Sequence, residues 1–368
     1  MSRTYFPNSI QFDMINENLV KIAAAIEGRV DYSTWEGIQK AVRMGMGATM
    51  FPVGTVLTVS HTTYGEIPLQ VVGHNQLRSA VNPSAPTMTL ICKNPIFEAE
   101  MCTPQALVTL ETGLPAGTYC FYITVSIGEW RSGYYSFTIK KPLQRGAQIG
   151  ISGDFGIPLT SCILVTYASV SDESPYERVG LESGQNGTDL TEFFGETNNI
   201  SRAVFGSNNY ENSAIRQLLN SSEKAGSVWT PKTKFDRAPS WVNEKDGFLC
   251  GLDASFVSVV GAVEWPCVTN AVYDEKGVRV NYTVKDKFAL ASGKEICGIS
   301  DYPNDSSVQF DFFNGRNKAE LIKDNKNWHL RSAEIGVSYG FDIIDNNGNK
   351  SYMPSSISGG ILPVCNIV

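Results

Sequence analysis

Apolar residues recur at helical spacing near the start of the chain. Between residues 10 and 26 they stand three and four positions apart, which predicts an amphipathic helix. Its apolar face includes Leu19, Ile22 and Ile26. We expect residues 1–50 to form a helical arm ahead of a β-rich region. Such an arm either serves attachment and oligomerisation through these three residues, or packs on its own domain.

A second, shorter helix is predicted within the same arm. Ser33 has the side chain of an N-cap, and Trp35, Ile38 and Val42 form an apolar stripe behind it.

After Phe51 the apolar period changes to that of β-strands. The stretches 55–59 and 69–72, separated by the turn-like Tyr64-Gly65, predict a hairpin, and 88–91 predicts a third strand. Further strands, bounded by Gly and Pro turns, are predicted at 107–110, 117–123, 133–139 and 147–151. Short strands at this spacing are typical of a small β-sandwich.

Helical patterns return in the second half of the chain. Ser213 is predicted to cap a helix whose apolar face includes Ile215 and Leu218. Asp253 is predicted to cap another helix that extends to Val263. The remainder consists of short strands and loops, so the fold class is predicted to be α+β and β-rich.

Composition agrees with a β-rich chain and narrows its partners. Charged residues make up 18% of the chain, below the roughly 25% typical of soluble domains. The formal net charge of −7 argues against a nucleic-acid partner. No apolar run approaches the ~18 residues of a membrane span, so we expect no membrane insertion. The cysteines are scattered without a CxxC pair or a Cys/His cluster, and we expect no metal site and no cofactor.

Short motifs follow one another in order through the second half of the chain. They stand at 206–210, 213–220, 235–241, 247–249, 286–290, 295–296, 328–332 and 360–364. In this order they resemble a domain family of unknown function that recurs in phage and prophage genomes of gut bacteria and has the C-type lectin fold. The resemblance implies a lectin-like domain over residues 196–368, with its first strands at 51–98. Residues 99–195 are then an inserted, β-sandwich-like domain.

The same resemblance implies a place for ligand contacts. In related phage receptor-binding proteins that diversity-generating retroelements vary, the variable positions lie between the 328–332 motif and the last strand, here residues 333–359. Asn, Ser and Tyr are frequent in this interval and suit adaptable recognition. The candidate ligand-binding residues are Ser338, Tyr339, Phe341, Asn346, Asn347, Asn349 and Tyr352. The alternative interpretation is a polar hairpin closed by Asn347-Gly348.

Two positions depart from the family pattern. Leu362 stands where the family has an Arg before the Pro, and we expect this change to remove a structural ion pair. Ala333 stands in place of a common Pro.

The sequence shows no grouping typical of an enzyme. We expect His329, inside the 328–332 motif, to be a framework or surface residue, and His61 and His74 to be exposed loop residues. The paired motifs through which many C-type lectins bind calcium are absent. The carboxylate pairs Asp305/Asp311 and Asp342/Asp345 could act as acid and base in a glycosidase, but charged loop residues usually only solvate a surface.

These observations favour a non-enzymatic virion surface protein of a phage, of the head-fibre, tail-fibre or capsid-decoration type. Its lectin-like domain is expected to bind a bacterial cell-surface receptor or glycan. The alternative is a structural capsid or tail accessory with no ligand of its own. Other virion proteins are the expected partners, a homotrimer is the expected assembly, and the virion, assembled in the host cytoplasm, is the expected location.

Overall fold

The computed structural model describes most of the chain. The described residues are 19, 30–101, 106–109, 113–127, 129–144, 148–151, 176–182, 187–189, 209–230, 239–268, 281–302, 304–315, 318–321, 323–334, 340–355 and 357–368. Its helices are α1 Trp35–Arg43, α2 Gly47–Met50, α3 Ala214–Leu219, α4 Phe248–Gly251, α5 Ala254–Val259 and α6 Gly293–Cys297. Single 3-10 turns lie at Tyr210–Asn212, Ser240–Asn243, Asp311–Phe313 and Lys318–Leu321.

The strands form three groups in chain order. The first group is β1 Val56–His61, β2 Gly65–His74, β3 Met88–Cys92 and β4 Phe97–Ala99. The central group is β5 Ala106–Thr109, β6 Gly117–Ile127, β7 Glu129–Ile139, β8 Gln148–Ile151, β9 Tyr176–Glu182 and β10 Thr188–Asp189. The last group is β11 Val263–Val268, β12 Asn281–Asp286, β13 Phe288–Ala289, β14 Trp328–Ala333, β15 Gly340–Ile344, β16 Lys350–Pro354, β17 Gly359–Ile361 and β18 Val364–Ile367.

Strands from both ends of the chain share two sheets. One has the order β1-β2-β3-β18-β13, and the other has the order β16-β15-β14-β17-β4. Sequence-distant strands therefore hydrogen-bond side by side, as where β18 runs antiparallel to β3 and β17 antiparallel to β4. Among the described residues, a large apolar core contains side chains from Ile38 to Ile367, and a small second cluster contains Val268, Tyr302 and Ala333. The chain is a mixed α+β, β-rich protein, which confirms the coarse fold prediction.

The strands of the central group pair with one another. β6 and β7 form a long hairpin within the order β10-β6-β7-β9, and β5 pairs with β8. Strands β5 to β8 lie where the sequence predicts strands, whereas β9 and β10 were not predicted. The domain boundaries at 51–98, 99–195 and 196–368, the sandwich arrangement and the lectin-like fold stay predictions.

Helix α1 packs on the core of its own chain. Ile38 and Val42 are buried, and the ring of Trp35 lies 4.5 Å from that of Phe256. The N-cap prediction was wrong by one residue. Thr34 accepts the Gly37 N–H, because the hydroxyl of Ser33 donates to the Asp31 carboxylate instead.

The first predicted helix lies almost wholly outside the described residues. Leu19 is helical and its side chain is 56% exposed. Ile22 and Ile26 lie outside the described residues, so the attachment role of this face stays a prediction.

The two helix caps predicted in the second half are confirmed. Ser213 accepts the N–H of Arg216, and Asp253 accepts the N–H groups of Ser255 and Phe256. The predicted extension of the second helix to Val263 was wrong. Helix α5 ends at Val259 because the next residue, Val260, pairs with Ile367 of β18.

In the described part of the chain, no helix is long and apolar enough to cross a membrane.

Candidate functional site

The interval after β14 folds into a hairpin at the end of a sheet. β15 and β16 pair antiparallel over five residues each, and β16 is the terminal strand in the sheet order. The connecting turn is stabilised by the Asp345 carboxylate, which accepts the N–H groups of Asn347 and Asn349 at 2.9 and 2.7 Å. Gly348 has a φ of 75°, a conformation that glycine adopts without strain. The turn predicted at Asn347-Gly348 is therefore confirmed.

The candidate ligand-binding residues divide between surface and core. Asn346 and Asn347 are exposed at the turn, and the Tyr352 side chain is 48% exposed on β16. Asn349 is half-buried, and its amide donates to the Asp345 carboxylate. Ser338 and Tyr339 lie outside the described residues.

The assignment of Phe341 to the ligand-contact surface was wrong. Phe341 is fully buried in the core. It pairs with Met353 on one side and with Ala333 on the other, and both of these are also buried. Because side chains alternate along a strand, Phe341 and its neighbour Asp342 point to opposite sides of the sheet.

The other side of the hairpin carries three polar side chains. Asp342 pairs directly with Tyr352, and Lys350 stands two residues before Tyr352 on the same strand. Alternation places all three on one side, which we call the Tyr352 face. This face therefore combines an exposed aromatic ring with a buried carboxyl group and an amine.

Two further carboxylates reach the Tyr352 face from elsewhere in the chain. Oxygen atoms of Asp301, Glu334 and Asp342 lie within 4.8 Å of one another. The Lys350 ammonium lies 2.6 Å from the Asp301 carboxylate and 3.1 Å from that of Asp342. Because this lysine supplies the positive charge at the cluster, we do not assign the three carboxylates as a metal site.

Asp342 is the buried member of this cluster. Its side chain is only 5% exposed, and a β-carbon at Gly293 of α6 would lie 2.7 Å from its Oδ2, so the helix closes over the carboxyl group. Burial, followed by a hydrogen bond and charge repulsion from Glu334, raises the pKa of Asp342 to about 8, against the lowering effect of Lys350. The sequence suggests Asp342 and Asp345 as a possible acid–base pair. In the structure, the carboxyl groups beside Asp342 are those of Glu334 and Asp301. Asp345 instead holds the turn.

Behind the hairpin lies a fully buried ion pair. Arg331 Nη1 donates to Glu295 Oε2 at 2.6 Å and Nη2 donates to Oε1 at 2.5 Å, and neither side chain is exposed. Arg331 also donates to the carbonyls of Leu290 and Pro266. Glu295 in turn accepts the Ser292 N–H in a capping box at the start of α6. The pair links α6, β14 and the loop after β13.

Residues of the sequence motifs supply this framework. Trp328 and Arg331 come from the 328–332 motif, and Glu295 comes from the 295–296 motif. Another pair, Arg216 of α3 with Asp286 of β12, joins the 213–220 and 286–290 motifs through a 2.6 Å contact. Leu362, where the resemblance implies an Arg, is buried among core side chains.

The histidines are more buried than the sequence suggests. His329 is fully buried, and its Nε2 lies 3.1 Å from the Ile357 carbonyl, which confirms a framework role. Burial lowers its pKa to about 4. The prediction of exposed loop positions for His61 and His74 was wrong. His61 ends β1, stacks on Phe248 and also contacts the Tyr64 ring, and His74 is half-buried against the Phe51 carbonyl.

Sequence reasoning did not find Asp301, Glu334 or Lys350. Alternation from Tyr352 would have placed Lys350 on the same face, because the two residues are two apart on one strand. Asp301 lies 49 positions from Lys350 and has no local signal that connects it to the hairpin.

Comparison with protein families gives one match, which covers the second half of the chain. Residues 185–368 match the family described as Domain of unknown function (DUF6273). The chain belongs to this family. The matched DUF6273 region contains both ion pairs of the framework and the Tyr352 face. Comparisons with curated proteins and with solved structures give no match.

Proposed function

We propose that this DUF6273 chain is a non-enzymatic virion surface protein of a phage, whose C-terminal domain binds a host-surface receptor or glycan. The observation that carries the proposal is the hairpin at the sheet edge. It exposes Tyr352, Asn346 and Asn347 on a support held by a buried ion pair. Tyr offers rigid amphipathic contact area and Asn offers adaptable hydrogen bonds, which suits recognition of varied polar surfaces.

Binding fits the chemistry of this hairpin better than catalysis does. The buried carboxyl of Asp342 is covered by α6 and engaged by Lys350 and Glu334. The Nε2 atoms of His61, His74 and His329 each lie 3.0–3.1 Å from a backbone carbonyl. These groups are occupied in holding the fold, whereas Tyr352 and the turn amides face solvent.

The N-terminal arm supports attachment to the particle. The resemblance of the motifs to phage proteins and the exposed aliphatic side chain of Leu19 both favour contacts of residues 1–50 with other virion proteins. We propose a homotrimer on the same grounds.

Cell binding by the purified chain tests the recognition surface. Tyr352→Ala, combined with Asn347→Ala, is expected to reduce binding at least tenfold while the unfolding midpoint stays unchanged, because both side chains are exposed. The control is Val56→Ala, an apolar side chain of comparable exposure (44% against 48%) on β1 of the other sheet. Phe341 is unsuitable for this experiment because its truncation would damage the core.

The structural-accessory alternative predicts a different result. In that case neither the wild type nor the variants bind cells, and the protein binds virions through residues 1–50. A purified protein that is monomeric and binds neither virions nor cells contradicts both hypotheses.

A further inference from the structure

The cluster on the Tyr352 face has more carboxyl groups than it can easily ionise together. Asp301, Glu334 and Asp342 place oxygen atoms within 4.8 Å of one another, and Lys350 is the cation in contact with Asp301 and Asp342. Two adjacent carboxylates repel each other strongly when one of them is buried. Retaining one proton leaves two negative charges beside the lysine, whereas full ionisation leaves three.

The contacts indicate where this proton resides. Asp342 is the buried member of the cluster, with a side chain only 5% exposed beneath α6, and burial disfavours the charged form of a carboxyl group. Asp301 is the exposed member of the cluster and makes the closest contact with Lys350, at 2.6 Å. The proton of the cluster is therefore assigned to Asp342, the member whose charged form burial disfavours most.

Within the described residues, the other titratable groups around Asp342 do not supply a second positive charge. Cys297 of α6 lies within electrostatic reach of Asp342 and Lys350, and burial raises the pKa of its thiol. Tyr352 stands opposite Asp342 on β16. Lys294 of α6 donates to the Asp305 carbonyl.

The positions of Asp342 and Glu334 couple the charge of the cluster to the hairpin. Glu334 follows β14 directly, and its N–H donates to the Gly340 carbonyl at 2.9 Å, which joins β14 to the first residue of β15. Asp342 lies two residues further along β15. Repulsion between the two side chains therefore acts across the backbone pairing that positions β15, and with it β16 and Tyr352.

We propose that Asp342 keeps its proton in the folded protein because it is buried beside the Glu334 and Asp301 side chains, and that release of this proton to solvent as the pH rises loosens hairpin β15–β16 and changes how Tyr352 is presented. The titration of the carboxyl group and the loosening of the hairpin are inferred from the cluster alone. Only their effect on recognition rests on the proposed function. The hairpin is thus a pH-sensitive element inside the DUF6273 region.

The test follows the carboxyl carbons of the full-length protein by NMR during a pH titration. We expect one carboxyl to titrate near neutrality or above, far from the ordinary aspartate value of 3.8. Glu334→Gln removes the repulsion and should lower this midpoint, and Lys350→Met removes the attraction and should raise it. Glu36→Gln, at an exposed position of α1, is the control and should leave it unchanged. Midpoint changes of opposite sign are a result that a purely structural role for these residues would not produce.

Hydrogen exchange of the Glu334 amide and of β15, corrected for intrinsic rates, tests the loosening. Protection should fall through the same midpoint in the wild type and stay constant in Asp342→Asn. If every carboxyl titrates in the ordinary range, the retained proton on Asp342 is refuted. If the raised midpoint is present but protection does not follow it, the switch is refuted. Should Asp342→Asn fail to fold, the Glu334 and Lys350 variants still decide the question, and none of these measurements depends on a binding partner.

Discussion

The buried pair Arg331–Glu295 allows a quantitative test of what holds the candidate site in place. Glu295→Gln keeps the shape of the side chain and an oxygen that can accept the Ser292 N–H of the capping box. It removes the negative charge that faces Arg331. The guanidinium is fully buried and retains uncharged partners: the carbonyls of Leu290 and Pro266, the Trp265 ring at 5.4 Å and the new amide.

The expected cost follows from the burial of both side chains. Neither Arg331 nor Glu295 has exposed side-chain area, so the charge left after substitution is not solvated. Breaking a buried pair by removing one partner typically destabilises a protein by about 3–5 kcal/mol. Arg331→Met should cost at least as much, because it leaves the Glu295 charge unpaired and also removes the donor to the buried Leu290 carbonyl, at about 1 kcal/mol or more. The double variant should cost less than the sum of the single variants, because no unpaired charge remains in it.

Urea unfolding of the wild type, both single variants and the double variant measures these free energies. The matched control is Lys224→Met, which removes one partner of an exposed pair with Asp246 and should leave the unfolding curve unchanged. A loss below about 1 kcal/mol for Glu295→Gln, the scale of a surface ion pair, would contradict this account of the pair. It would mean that water or another charge reaches the site.

Three further predictions concern other buried or constrained positions. The folded-state pKa of His329 is lowered from 6.5 to about 4, so the stability that the neutral side chain contributes is complete above pH 6.5 and is lost as the pH falls towards 4. Because each tenfold change in a protonation equilibrium corresponds to about 1.4 kcal/mol, this loss approaches roughly 3 kcal/mol. In urea unfolding, His329→Gln should therefore show less acid destabilisation than the wild type. Leu362→Arg places a charge at a core position that is 1% exposed, and we expect it to lower the thermal midpoint by many degrees. An unchanged midpoint would mean that the arginine finds a partner. Gly298→Ala puts a β-carbon on the left-handed residue that ends α6, at a φ of 72° and 2.7 Å from Gln309, and should cost about 1–2 kcal/mol in the same assay. A wild-type stability for this variant would contradict the backbone conformation of the cap.

Local features of the fold follow from the sequence because their partners are close along the chain. Ser213 and Asp253 cap helices through N–H groups two or three residues away, and Asn347-Gly348 closes a turn of a few residues. Apolar alternation likewise indicates β1–β3 and most of the central strands. These predictions depend on short-range hydrogen bonds and on side-chain periods, which the sequence displays directly.

The faces of the strands and the composition of the site depend on tertiary structure. Phe341 and Tyr352 both lie in a polar, Tyr-containing interval, but the register of β15 against β14 turns Phe341 into the core and leaves Tyr352 at the surface. Helix α5 ends early because Val260 pairs with Ile367 of β18, which lies more than a hundred positions further along the chain.

The pairing of charged side chains also depends on tertiary structure. Glu295 and Arg331 stand 36 positions apart, and Asp301 and Lys350 stand 49 apart, so no local pattern links them. Their pairing depends on how α6 packs against β14 and β15. The amino-acid order alone sets the local elements and the residue types available for recognition. The packing of distant segments sets which carboxyl groups meet, which of them is buried, and which aromatic side chain remains exposed to contact a partner.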